Sequence, residues 1–392
     1  MKYKLSTLVI VLVLASVMLG ACAPSAATTV PASETAAPAA AETTAAETAA
    51  AALPAGSVQI NGAGATFPLP VYAQWAYAYQ YVDPSVVVNY QGTGSGGGKK
   101  GIIDNTIDFA GSDSLLKDEE YTAGKDLQMY PMVAGAVVNI YNIAWTTKDA
   151  PKAALVLDRE TLVGIYNAAI TKWNDPAIIA LNPDLKDALP DAPITVVHRS
   201  DGSGTTEIFT KALTSFSDKW TAGGASAVEW PVDKAGNGVG AKGNPGVAGA
   251  VLNTPNSIGY VELSYAISNK IAYASMVNKA GKTVVANADS LASAINDFAT
   301  AFDDKLTATI VDAAGEGSWP MAGYTYLILH TQSMTDCTKA QKLLEYIRWT
   351  LTDTGAAKQA ADLGYAVLPE AVQKTVLAKL GEVTCNGAAV LK

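Results

Sequence analysis

An α/β fold with a largely parallel sheet is what this sequence predicts, on three observations. From Val58 onward, short apolar runs alternate with stretches whose apolar residues recur at helical spacing. Three of those runs end in turns rich in glycine, serine and threonine that open into a helix. After a low-complexity start, about 335 residues remain, enough for roughly two domains.

Residues 57–82, SVQINGAGATFPLPVYAQWAYAYQYV, read as a strand, a glycine-rich turn and a helix opening at Pro70, where a missing N–H costs nothing. SVVVNY is a strand, and GGKKGIIDNT a helix after it. IDFAGSDSLL is another strand and turn. AGAVVNIYNIAW and PITVVH are buried strands, whereas ETLVGIYNAAI and TTEIFTKALTSF have helical spacing. Residues 235–249 are glycine-rich and are expected to be irregular. IGYVELSYAI and YTYLILH are strands again, and KAQKLLEYIRWTLTD is a long surface helix.

The first 22 residues place the protein outside the cytoplasm. Lys2 and Lys4 precede the apolar stretch LVIVLVLASVML, which is too short to span a bilayer comfortably. LGAC then ends at Cys22 and resembles the lipobox of bacterial lipoproteins, in which this cysteine is acylated. Residues 23–56 are almost entirely Ala, Thr, Pro, Ser and Glu, the composition of a flexible tether. Two acyl chains on one cysteine would make a stable anchor. In an exported chain the remaining cysteines, Cys337 and Cys385, are expected to form one disulfide, with two separate thiols as the alternative.

Charge narrows the partners. The formal net charge is −9, so no basic field exists to collect nucleic acid. With two histidines in all, no metal-ligand cluster has useful spacing, and neither a metal nor a cofactor is expected. His198 reads as a packed residue, and Lys99 and Lys100 as a solvated first helical turn.

The loop GTGSGG, residues 92–97, satisfies G-x-G-x-x-G and so raises the question of whose phosphate it holds. A dinucleotide would want this loop after the first strand, not the second, and dinucleotides are scarce outside the cell. The Walker pattern fails because no Lys-Ser or Lys-Thr closes the loop. RSDGSGTT, from Arg199, and GAGATFP, residues 62–68, are turns of the same physical kind. Each offers unpaired N–H groups and the positive end of a helix dipole. Three together suggest one small anion with many oxygens, and Arg199 supplies a full positive charge shaped for an oxyanion.

GAGATFPLPVYAQW, NYQGTGSGGGKKGIID, DFAGSD, RSDGSGTT and IGYVELSYA, in this order and spacing, resemble the phosphate-binding proteins of phosphate-specific ABC transporters. The resemblance runs from about residue 58 to about residue 370. It implies a two-lobed Venus flytrap of the periplasmic-binding-protein type, with the anion in the cleft. Lobe one would comprise residues 57–132 and 320–392, and lobe two residues 133–319, with crossovers near Met132 and Trp319-Pro320. Carried over by position, Thr66, Phe67 and Ser95 would donate to phosphate, as would Ser203, Gly204 and Thr205. Arg199 would give the charge, with Asp201 holding its plane. Asp113 would accept a hydrogen bond from the anion itself; its plainer reading is a turn-forming aspartate. The resemblance thus implies a monomeric, lipid-anchored receptor that captures inorganic phosphate and delivers it to a membrane permease without performing chemistry. A phosphate sensor or a phosphohydrolase on the same anion site is the alternative.

Overall fold

A computed structural model describes residues 56–298 and 300–391. Cys22, the apolar segment before it and the tether through residue 55 lie outside the described residues. Nine strands of the described chain build one sheet. In chain order they are β1 (Val58–Gly64), β2 (Val86–Gly92), β3 (Phe109–Ser112), β4 (Leu127–Asn142), β5 (Thr195–Arg199), β6 (Gly238–Ala241), β7 (Ser257–Glu262), β8 (Ala322–His330) and the short β9 (Ala366–Val367). Their spatial order is β2-β1-β3-β8-β4-β7-β5-β6, with β9 pairing on β4.

The expectation of a largely parallel sheet needs correcting. β1 pairs parallel with β2 and β3, and β5 pairs parallel with β6 and β7. The centre is antiparallel: β8 against β3 and β4, β4 against β7, and β9 against β4. The reason is β4, sixteen residues long and buried at every position but Gln128 and Asn142. Its first part pairs with β8 up to Ala136, and from Val137 it pairs with β7. One continuous strand therefore joins two parallel groups. Pro131 interrupts the ladder at a register shift opposite Thr325 and Tyr326, which is where a residue lacking an N–H is tolerated in a central strand.

Helices come after most of the parallel strands: α1 (Leu69–Tyr79) after β1, α2 (Ser95–Ile103) after β2, α3 (Gly204–Phe216) after β5, α4 (Gly243–Asn253) after β6 and α5 (Leu263–Ser268) after β7. Two of these differ from expectation. Residues 235–249 are not irregular, because β6 is zipped onto β5 with His198 opposite Gly240, and α4 opens at Gly243. IGYVELSYAI is not one strand either. Glu262 ends β7 and caps α5 with its own side chain, which accepts from the Ser264 N–H.

Helix α2 starts inside the glycine loop. A Cβ on Gly98 would stand 2.7 Å from the Gly64 Cα and 2.9 Å from the Gly111 carbonyl oxygen, so only glycine lets α2 lie on β1 and β3. Near the C-terminus α6 (Cys337–Thr352) packs its apolar stripe inward, and Cys337 and Cys385 are joined by a disulfide with Cα atoms 5.5 Å apart. None of the described helices is long and apolar enough to cross a membrane.

Candidate functional site

The carboxyl ends of the two parallel strand groups face one another. β1, β2 and β3 end at Gly64, Gly92 and Ser112, while β5, β6 and β7 end at Arg199, Ala241 and Glu262. Hydrogen bonds stitch the turns after them across the gap. The Gly204 N–H donates to Ser95 Oγ at 3.0 Å, and the Gly96 N–H donates to the Gly202 carbonyl at 3.0 Å. Asn244 donates from its backbone N–H and its side chain to Thr66 Oγ1, both at 3.0 Å. In open α/β sheets this is where ligands bind.

All the residues singled out for the anion converge here. Thr66, Phe67, Ser95, Asp113, Arg199, Ser203 and Thr205 are at most 5 % exposed, and Gly204 is buried. Gly204 sits so close to Asp113 that a Cβ on it would meet the Asp113 Cβ and Oδ2 at 2.5 Å. The β3 turn and the start of α3 therefore touch only because residue 204 has no side chain.

The hydroxyls share one arrangement. Ser95 Oγ accepts from the Asp113 and Gly204 N–H groups. Thr66 Oγ1 accepts twice from Asn244. Thr205 Oγ1 accepts from Arg199 and Asn244, and Ser203 Oγ accepts from the Thr206 N–H as the cap of α3. Each oxygen is thus held by N–H donors, and each keeps its own proton, for which no acceptor is found among the described residues. Four buried O–H groups oriented through their lone pairs form a donor set awaiting an acceptor.

The charged groups divide in two. Arg199 is clamped by Asp201, with Nε to Oδ1 at 2.7 Å and Nη2 to Oδ2 at 2.5 Å, a bidentate pair that fixes the guanidinium plane. Burial alone would raise the Asp201 pKa, but Arg199 and the Gly243 N–H hold it below the usual carboxylate range. Asp113 is different. Oδ1 accepts from Thr325 at 3.0 Å, while Oδ2 is buried without a partner among the described residues. Burial raises this carboxyl to about 7, against the lowering effects of Thr325 and of the Arg199 charge; the Thr205 amide also lowers it, without hydrogen-bond geometry to Oδ2. Beside Asp113 the structure leaves a small cavity of about 20 Å³ that runs along Glu207 and Tyr326.

Sequence reasoning missed Asn244, fully buried, which bridges Thr66 and Thr205 and accepts the Glu262 N–H on its Oδ1. Its signal was present: GAKGNPG is a fourth strand-to-helix turn with glycine and a polar residue at the helix start. Tyr260, whose hydroxyl meets the Arg199 N–H and Thr206 Oγ1, was also missed. His198 is engaged on both ring nitrogens, by the Arg199 carbonyl at 3.0 Å and Asp233 at 2.8 Å, and stacks on Trp230. Lys99 is buried and paired with Glu120 rather than solvated, while Lys100 is exposed. Among the described residues no group of three side chains could hold a metal ion.

Comparison with known proteins finds the same pattern on a larger scale. A family profile described as a PBP superfamily domain matches residues 34–354. The chain is 39 % identical over 324 residues to the Phosphate-binding protein PstS of Xylella fastidiosa, covering 82 % of this chain and 84 % of that one. It is 39 % identical over 331 residues to the protein of the same name from Pasteurella multocida, covering 84 % and 91 %. Among solved structures it resembles a high affinity periplasmic phosphate-binding protein bound with phosphate, at TM-score 0.65 and 22 % identity, over 82 % of this chain and 93 % of that one. The fold is of the two-lobed periplasmic-binding-protein type.

Proposed function

The chain belongs to the PBP superfamily and, within it, to the phosphate-binding proteins of phosphate ABC transporters, and on that premise we propose that it is an extracytoplasmic receptor which binds inorganic phosphate and hands it to a permease. The observation that carries this is the donor set. Four buried hydroxyl protons with no acceptor among the described residues and the Arg199 charge gather where the turns after the two parallel strand groups meet, and an anion with several oxygens can accept from them together.

Asp113 supports phosphate over sulfate. A buried carboxylate oxygen with no partner repels a bare oxyanion, whereas phosphate near neutral pH still carries a hydrogen to donate. Rejecting a near-isostere by leaving a buried polar group unpaired is a strong form of selectivity.

No chemistry is assigned to the site. A hydroxyl nucleophile needs a base to activate it, and both nitrogens of His198 are engaged elsewhere, by the Arg199 carbonyl and Asp233. Isothermal calorimetry on the fragment from Val58, run beside a release assay with phosphate esters, tests this reading. The expected result is tight phosphate binding with no turnover, and catalytic release of phosphate would overturn it.

We assign the first lobe to residues 57–132 with 320–392 and the second to 133–319, the chain crossing near Met132, a few residues before β4 changes partners at Ala136–Val137, and again near Trp319-Pro320. Support comes from the side-by-side passage of the two crossings: Trp319 Nε1 donates to the Val137 carbonyl at 3.0 Å, and the Val137 N–H donates to Met321 at 2.8 Å. The receptor is assigned as a monomer held at the outer face of the membrane by acylated Cys22 and the tether behind it. Cys22→Ser should move it out of the membrane fraction; unchanged membrane retention with normal signal cleavage would refute the anchor.

A further inference from the structure

Glu262 is completely buried at the end of β7, with Oε1 lacking any partner among the described residues. Its Oε2 lies in a ring of oxygens. It contacts Ser264 Oγ, and it stands 2.9 Å from Tyr365 Oη. Ser264 Oγ and Tyr365 Oη are 3.1 Å apart, and Tyr365 Oη reaches the Phe67 carbonyl at 2.6 Å. Oε2 also accepts the Ser264 N–H at 2.9 Å.

Counting protons decides the state of the carboxyl. The ring contains four oxygen–oxygen contacts, and the Phe67 carbonyl can only accept. Ser264 and Tyr365 bring one hydroxyl proton each. With an ionised Glu262, two of the four contacts set lone pairs against lone pairs in the interior, an arrangement of high energy. One more proton on Oε2 supplies three of the four contacts as a directed chain from Glu262 through Ser264 and Tyr365 to the Phe67 carbonyl, and leaves only Tyr365 Oη against Oε2 without one.

We infer that Glu262 is a positioning residue for the anion site, held as a neutral carboxylic acid whose proton completes this relay to the turn carrying Thr66 and Phe67. The inference rests on the proposed phosphate function for its effect on affinity, though not for the protonation state itself. The relay reaches from β7, across Tyr365 near the C-terminus, to a turn that presents donors to the anion. A neutral Glu262 also spares the site a second negative charge beside Asp113. Ionisation would break the chain at its first member and add that charge, so phosphate binding should weaken in alkaline solution. The titratable and charged groups around Glu262 are Tyr365, Tyr265 on α5, Asp113 after β3 and, through Tyr265, Arg199. Burial pushes Glu262 up to about 8, with Asp113 adding to it and Ser264 and Tyr365 opposing, and both tyrosines are raised far above the range in question.

Two measurements test the inference. In protein labelled with ¹³C at glutamate side-chain carboxyls, one resonance should keep its protonated shift through pH 7 and titrate only above it. Aspartates are unlabelled, so Asp113 cannot supply the signal. Full ionisation of every glutamate below pH 6 would overturn the inference, whether or not phosphate binds. Phosphate affinities of wild type and Glu262→Gln are then compared from pH 6.5 to 9.5. Ionisation of phosphate is common to both proteins and cancels in the ratio, while Asp113, which interacts with Glu262, titrates in the lower part of this range. That ratio should be constant near neutrality and shift about tenfold against wild type by the alkaline end. A flat ratio would remove Glu262 from the anion site, and no binding by wild type at pH 7 would instead sink the phosphate reading.

Discussion

Two aspartates in this chain, Asp113 buried and Asp126 half-buried, have opposite surroundings. Asp126, beside the end of β8, accepts from His330 Nδ1 at 2.7 Å, from the Gln332 and Ser333 N–H groups and from Ser333 Oγ. Burial would raise it, but these donors win and hold it at about 2. Asp113 has a single donor for two oxygens and stands at about 7. Around Asp126 every oxygen is answered from within the chain, which makes a joint between the β8 end and the start of β4. Around Asp113 and the four hydroxyls the polar groups are aligned but incomplete. The contrast between these two carboxylates separates a scaffold joint from the proposed site: Asp126 is saturated by the chain's own donors, whereas Asp113 lies among aligned hydroxyl donors with one oxygen left unanswered.

Arg199 offers the largest break in that contrast, because it belongs to both descriptions. Arg199→Ala leaves the half-buried Asp201 without its guanidinium partner, at a stability cost that solvent contact and the Gly243 N–H reduce below the roughly 3–5 kcal/mol of a fully buried pair. It also removes the full positive charge of the donor set. Phosphate affinity should fall by at least about 100-fold, roughly 3 kcal/mol, by calorimetry under conditions where circular dichroism shows a folded protein. Affinity within about threefold of wild type would mean that the anion does not meet Arg199.

Asp126→Asn should do the reverse and touch stability alone. An amide there turns a donor toward the Gln332 and Ser333 N–H groups, which need acceptors. The folded pKa is depressed from 3.8 to about 2, so the stabilisation is present above pH 4 and is lost as pH falls through 2. Solvent screening reduces it to about 1–2 kcal/mol at neutral pH. Urea denaturation of both proteins should therefore show a gap at pH 7 that closes toward pH 2, with phosphate affinity unchanged at pH 7. A loss of affinity would end the separation of scaffold from site.

Much of the site was legible in the sequence because its chemistry is local. A strand that runs into glycine, serine and threonine and then a helix reports an anion-binding turn whatever the rest of the chain does, as GAGATFP, GTGSGGG and RSDGSGTT did. What escaped depends on distant partners. Residues 235–249 contain six glycines and have no propensity of their own; β6 exists because β5 lies beside it, and so Asn244 was hidden in an apparent loop. Glutamate is a poor helix cap by preference, so nothing local announced that Glu262 would end β7. The antiparallel centre was likewise invisible, since β4 reads as a uniform apolar run and its change of partner at Ala136–Val137 leaves no mark.

Asp113→Asn gives the smallest expected effect and the most specific one. If Asp113 accepts the phosphate proton, the amide oxygen still accepts in its place, and phosphate affinity should survive or fall modestly. Sulfate, fully deprotonated, meets a like charge in wild type; in the variant that charge is gone and an N–H can face the bare oxyanion. The phosphate-to-sulfate ratio should drop by at least about tenfold, roughly 1.4 kcal/mol. Stability has its own sign. The folded pKa lies above the unfolded one, so wild type loses stability between pH 4 and 7 as the unfolded carboxyl ionises first, and the variant should lack this slope. A turn-capping aspartate would behave otherwise: its loss would lower stability and leave the ratio alone. Competition titrations with the two anions at one ionic strength and pH measure the ratio, and denaturation at pH 4 and pH 7 measures the slope. An unchanged ratio would place Asp113 with Asp126 among the structural carboxylates and leave the choice of phosphate over sulfate without a residue to explain it.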